Sequence, residues 1–125
     1  MFTTVLFPIS PGRETLEALP TVTRLIQHCQ SRLVILAVAE TPEQEAEAPD
    51  LLTSIQRALG EGGVTCEPLQ RTGKPAFVIC DVADELGADL IVMGCRGLGL
   101  TQEGTADSVS VRVINLAPCP VLVIP

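Results

Sequence analysis

An open, doubly wound α/β fold built on a parallel sheet is predicted by three features of this sequence. Unbroken apolar runs recur at residues 5–7, 33–39, 90–93 and 121–124, and a strand apolar on both faces is one buried between two layers of helix. Apolar residues at helical spacing fill the intervals between these runs, so strand and helix alternate. After Leu90-Ile91-Val92-Met93 comes a loop carrying Gly94, Gly97, Gly99 and Gly104, then a segment from about Asp107 to Leu116 with Val109, Val113 and Leu116 at helical spacing. Strand, glycine loop and helix start in that order suit an anion. Glycine lets the backbone approach closely, and the helix start presents free N–H groups.

Taken in order, residues 2–8 form the first strand and Ile9-Ser10-Pro11-Gly12 the turn after it. Residues 14–29 place Leu16, Leu19, Val22, Leu25, Ile26 and Cys29 at helical spacing, with Pro20 inside the pattern. Proline removes a backbone hydrogen bond there and predicts a kink or a restart. Residues 33–39 make the second strand, and a strand–helix–strand unit of this length is a right-handed parallel crossover. The stretch 41–50 (TPEQEAEAPD) is acidic, proline-bounded and almost without apolar residues, so it reads as a solvated surface loop. A second helix covers residues 51–59, with Leu52, Ile55 and Leu59 on one face, and ends at Gly60 and Gly62-Gly63. Residues 64–71 alternate and contain Pro68, which places them at a sheet edge. Pro75 opens a third helix where its missing N–H costs nothing; Phe77, Val78, Asp81, Val82 and Leu86 follow, and Gly87 closes it. Pro118-Cys119-Pro120 stops the fourth helix, and Val121 to Ile124 is a last buried strand. Five strands and four helices result, in one domain over residues 1–125 without repeat or linker.

With 125 residues and 46% hydrophobic content, such a domain buries roughly two-thirds of its unfolded surface. An aromatic content of 2%, with neither Trp nor Tyr, leaves no stacking platform for single-stranded nucleic acid. A net charge of -7 opposes binding to a phosphate backbone, so nucleic acid is not an expected partner. No apolar run approaches the ~18 residues of a membrane span, and no basic start or apolar core marks a signal peptide. A cytoplasmic protein without a membrane partner is expected. Five cysteines, with no C-x-x-C pair, fit neither a disulfide framework nor a zinc site. Cys29, Cys66 and Cys80 lie in or beside apolar segments and read as buried thiols. Cys95 reads as exposed, with the neighbouring Arg96 favouring its thiolate.

The opening Thr4-Val5-Leu6-Phe7-Pro8, then Gly73-Lys74-Pro75-Ala76, then VADELGADLIVMG from Val82 to Gly94 together resemble the universal stress protein family. That family carries Gly-x2-Gly-x9-Gly-Ser/Thr after its fourth strand. The resemblance covers the whole chain and is weakest between residues 40 and 62. It implies a Rossmann-like open sheet with strand order 3-2-1-4-5. It also implies a homodimer, often built by pairing the last strands, here Val121, Leu122, Val123 and Ile124; pairing would cover an apolar edge.

A nucleotide site is implied as well. Ligands of open α/β sheets sit at the carboxyl ends of the strands, where strand order reverses. In this chain that lies between the loop after strand 1 and the loop after strand 4. The base would meet Pro8, Ile9, Val38 and Met93; phosphates would meet Gly94, Arg96 and Gly97 and a helix start at Ser108, Val109 and Ser110. Two positions depart from the pattern: Ser10 stands where the nucleotide-binding branch has Asp, and Asp107 stands at the third glycine. A carboxylate about 4 Å from a phosphate charge repels it by about 4 kcal/mol at an effective dielectric of 20, roughly a thousandfold in affinity. Asp107 is also a good helix N-cap, and the two roles are compatible. Gly104-Thr105 offers a shifted glycine nearby.

Ser108 and Ser110 invite a nucleophile, but His28 is the sole histidine and lies on the first helix, and no G-x-S-x-G elbow surrounds either serine. No catalytic residue is assigned, a slow ATPase being the one enzymatic variant left open. The expected function is a homodimeric stress-response protein with a degenerate site, binding adenine nucleotide weakly or not at all and acting through protein partners. The alternative is an ATP- or AMP-binding regulatory domain using the Gly94-x2-Gly97 loop and the helix start at Ser108. ATP or AMP is the candidate cofactor, none being certain, and no metal is expected.

Overall fold

Alternate residues of a strand face opposite sides of its sheet, and in the central strands of this chain both sets are buried and apolar. The structure, a computed structural model, describes residues 1–94 and 109–125. Its elements are β1 (Thr4–Ile9), α1 (Arg13–Cys29), β2 (Arg32–Ala39), α2 (Pro42–Glu61), β3 (Glu67–Thr72), α3 (Pro75–Leu86), β4 (Leu90–Gly94), α4 (Val109–Leu116) and β5 (Val121–Ile124). The strands pair in parallel in the order β3-β2-β1-β4-β5, the order the resemblance implied.

Register follows from this two-sided burial. Val5 lies beside Leu33 and Leu90, and Leu6 beside Val34 and Ile91. Val5, Phe7, Leu33, Ile35 and Val92 pack with Ala18, Val22 and Ile26 of α1 and with Leu52, Ile55 and Leu59 of α2. Leu6, Val34, Leu36, Ile91 and Met93 face the other way, onto Ile79 and Val82 of α3 and Val113 of α4. A slip by one residue would exchange the two sets without exposing either, so pattern alone does not pin the register. Polar contacts at the amino ends do. The Asp89 carboxylate accepts the N–H groups of Thr3 and Thr4, both at 3.0 Å, and the Asp89 N–H donates to the Thr4 carbonyl at 2.9 Å. The Arg32 N–H reaches the Thr3 carbonyl at 2.8 Å, and the Arg32 side chain grips Glu67 of β3 with two bonds of 2.7 and 2.9 Å.

The largest correction concerns residues 41–50, expected as a loop. They are the first half of α2. Thr41 is its N-cap, with Oγ1 accepting the Gln44 N–H at 3.2 Å, while Gln44 Oε1 reaches back to the Glu40 N–H at 2.6 Å. This is the reciprocal arrangement of a capping box, shifted by one residue at its return bond. Pro42 occupies the first turn and Glu43 and Glu45 lie beside the positive helix end. Pro49 lies inside the helix and cannot donate to the Glu45 carbonyl. Gln70 Nε2 of β3 takes that place, at 3.3 Å.

Other boundaries also move. Helix α2 runs through Gly60 to Glu61, with Gly62 as its C-cap. Helix α1 continues through Pro20 without a restart. Leu16, whose carbonyl loses that bond, is 58% exposed, so this side of the helix faces solvent. Strand β1 begins at Thr4, and β3 begins at Glu67, beyond the buried Val64 and Cys66. Cys29 and Cys80, expected buried, are half-buried. In α4 the buried residues are Ser110 and Val113, whereas Leu116, expected inside, is 49% exposed. Strand β5 is not buried on both faces. It is the sheet's edge, and Leu122, level with Val92, is 38% exposed.

The two backbone bonds hold the Asp89 carboxyl below the usual aspartate range. A depressed native pKa contributes stability above the unfolded value, about 3.9, and that contribution is lost as pH falls through the native value. Asp89→Asn should therefore melt below the unmodified protein at neutral pH, with the gap closing as acid protonates Asp89. Thermal melts across an acid-to-neutral series check this; a gap independent of pH would show that the carboxylate charge is not what holds these strand ends.

Candidate functional site

Parallel strands run their carboxyl ends to one edge, and β1 is where neighbours diverge, to β2 on one side and β4 on the other. A cavity of about 470 Å³ opens at that edge. Ile9, Ser10 and Pro11 at the end of β1 line it, with Ala37, Val38 and Glu40 at the end of β2. Gln44, Glu47, Ala48 and Leu51 of α2 form a wall, and Pro75 at the start of α3 completes the described lining. The four α2 residues follow i, i+3, i+4, i+7 spacing, one face of a helix. Reading residues 41–50 as a loop concealed this wall. The pattern Thr41-x-x-Gln44 with Pro42, ahead of that spacing, was the overlooked signal.

The lining has an apolar body and an acidic rim. Ile9, Ala37 and Ala48 are buried core residues that end at the cavity. Glu40 and Glu47 bring two carboxylates, and no Lys or Arg stands among the described lining residues. The Glu40 backbone is held by Gln44, and the Ala39 carbonyl accepts the Gly73 N–H at 3.0 Å. Ser10 is exposed, but its backbone is occupied: its N–H donates to Thr15 Oγ1 at 3.0 Å, and the Thr15 hydroxyl donates to its carbonyl at 2.9 Å. Thr15, 4% exposed, thus ties the β1 turn to the first turns of α1. A threonine near a helix start has several local partners, and the sequence reading passed over this one.

The residues proposed from sequence fall in several places. Ile9, Ser10 and Val38 line the cavity. Pro8 is half-buried in β1 and outside the described lining, and the Met93 side chain packs in the core with Ile79 and Val113, one residue short of the strand end. Val109 and Ser110 open α4, half-buried and buried respectively. Arg96, Gly97 and Ser108 lie outside the described residues, as do Cys95, Gly104 and Asp107.

Gly94 ends β4 against the first turn of α1. A Cβ there would overlap the Glu14 carbonyl oxygen and sit 2.9 Å from its carbon. Backbone atoms cannot step aside as a flexible side chain does, so this glycine sets how closely α1 approaches β4. Gly94→Ala should cost about 1–3 kcal/mol, read as a lower denaturant midpoint at unchanged m-value. A wild-type midpoint would refute the close approach.

The sequence profile of the Universal stress protein family matches residues 43–125. A universal stress protein of Synechocystis sp. is 49% identical over 136 aligned positions, covering 100% of this chain and 87% of its own length. The universal stress protein UspA from Lactobacillus plantarum superposes with a TM-score of 0.84 at 24% identity, over 99% of this chain and 98% of its own. A universal stress protein family protein of Arabidopsis thaliana, solved with AMP bound, superposes with a TM-score of 0.77 at 25% identity, over 98% of this chain and 90% of its own. With most of the chain inside the profile and a 49% identical relative along its whole length, this chain belongs to the universal stress protein family.

Proposed function

We propose that this chain is a homodimeric, cytoplasmic stress-response protein whose adenine-nucleotide site is degenerate, binding nucleotide weakly or not at all and passing its output to protein partners. The observation that carries this reading is the cavity at the ends of β1 and β2: its apolar body is retained, while its described polar lining is acidic. An acidic rim repels phosphate, where a nucleotide site gains from cations and free N–H groups. Ser10 adds neither an Asp nor a free backbone group, since Thr15 occupies both its N–H and its carbonyl. Asp107 stands in sequence at the third glycine of the family signature and adds a carboxylate to a motif that otherwise serves phosphate. The AMP-bound Arabidopsis relative and the retained cavity favour a second reading, an ATP- or AMP-binding regulatory domain using Gly94, Gly97 and the helix start at Ser108.

A binding output, rather than catalysis, agrees with the placement of His28. It stands exposed in the last turn of α1, about 20 Å along the helix from the cavity end. Among the described residues, no helix is long and apolar enough to cross a membrane. For assembly, β5 supports pairing with a second copy, since it is the sheet's edge and leaves Leu122 exposed.

Two measurements test the proposal. Titration calorimetry with AMP and ATP, with and without magnesium, should give dissociation constants near millimolar or weaker, about -4 kcal/mol, and Asp107→Gly should tighten binding by about tenfold or more. Micromolar binding by the unmodified protein would select the second reading. Sedimentation velocity should show a dimer that Leu122→Glu converts to a folded monomer; a variant that stays dimeric would remove β5 from the interface.

A further inference from the structure

We propose that Glu47, assisted by Glu40, makes the cavity select the unphosphorylated nucleoside over its nucleotides. The inference rests on the cavity being the chain's adenine site and extends that reading to ligand class. Glu47 shares one helix face with Gln44, Ala48 and Leu51, and Ala48, 4% exposed against the core, turns that face toward the cavity. The Glu40 backbone is held from the other side: its N–H donates to Gln44 Oε1 at 2.6 Å, directly after the end of β2. Both glutamates thus line, with Ile9 and Ser10, a cavity whose apolar body suits a flat heterocycle.

Carboxylates accept hydrogen bonds and do not donate them. They favour a ligand edge that carries N–H or O–H donors, such as an exocyclic amine or ribose hydroxyls, and they disfavour each added phosphate. For a separation of about 8 Å in solvent-level dielectric, two carboxylates weaken binding by roughly fivefold per phosphate charge. Lys74 immediately precedes Pro75 and is exposed at the start of α3; it offsets part of this field from outside the lining. The net preference is for a neutral ligand. Because the carboxylates are exposed, the preference weakens as salt rises.

The test titrates the full chain with adenosine, AMP and ATP, in chelator and without divalent metal, at low and at high salt. Adenosine should bind tighter than AMP and AMP tighter than ATP; each step adds about two charges, so each is roughly twenty-five-fold at low salt and shrinks at high salt. Glu47→Gln should shrink the steps mainly by tightening AMP and ATP. Glu61→Gln, which removes one charge at the far end of the same helix, should leave the order and steps unchanged. Equal binding of the three ligands, or tightest binding of ATP, with Glu47→Gln indistinguishable from wild type, overturns the inference. Absence of adenosine binding also overturns it, while leaving the degenerate-site reading intact. Micromolar ATP binding with adenosine tighter still would overturn the degenerate-site reading and uphold the inference.

Discussion

A parallel sheet must be covered on both faces, because each crossover connection lays a helix against one of them. That constraint governs the rest of this molecule. It makes the middles of β1, β2 and β4 apolar on both faces, with Leu6, Phe7, Ile35 and Ile91 fully buried. Polar chemistry is thereby driven to the two ends of the sheet. At the amino ends it is structural, with Asp89, Arg32 and Glu67 fastening strands to one another. At the carboxyl ends the strands stop before the helices begin, and the cavity occupies the space between.

The same constraint explains which parts were readable in the sequence. Runs such as Leu33 to Ala39 are apolar because of where they lie in the sheet, so they announced themselves, and Leu52, Ile55 and Leu59 announced the core face of α2. The start of α2 was hidden because it buries almost nothing: of residues 41–50 only Ala48 is buried. Hydrophobic periodicity is blind to such a segment. Its order comes from the Thr41 cap and the return bond of Gln44, which are local polar contacts. The burial of strand β5 was misjudged in the opposite sense, although the implied strand order already put it at the edge. Val121 to Ile124 has the composition of a central strand but sits at the edge, and composition cannot distinguish a strand covered by its own chain from one that a second copy would cover.

The candidate site was readable in part for the same reasons. Ile9 and Val38 could be placed because strand ends face the edge where ligands of open sheets bind. Met93 shows that a strand's last apolar residue can pack in the core as readily as at the edge, here against α3 and α4. Gly94 was chosen for phosphate approach, yet its described environment is the backbone of α1 at Glu14. Close packing of helix on strand and close approach to a ligand demand the same missing side chain. A glycine in the signature therefore need not report on nucleotide.

A hydrogen bond ties the cavity wall to the edge strand β3. Pro49 leaves the Glu45 carbonyl without its helical donor, and Gln70 of β3 supplies one. Glu45 sits in the turn that presents Gln44 and Glu47 to the cavity, so the geometry of that rim depends on β3 as well as on the Thr41 cap. Strand β3 is itself an outer strand, carrying Pro68 and joined to β2 through Arg32 and Glu67. The wall that carries the acidic rim is thus held by exposed polar bonds and the edge strand, whereas the body of the cavity is held by the buried core. Exposed polar bonds open at lower free energy than a packed core. A ligand that engages Glu47 is coupled to any opening of this turn, so its affinity reports on the wall's stability together with its charge.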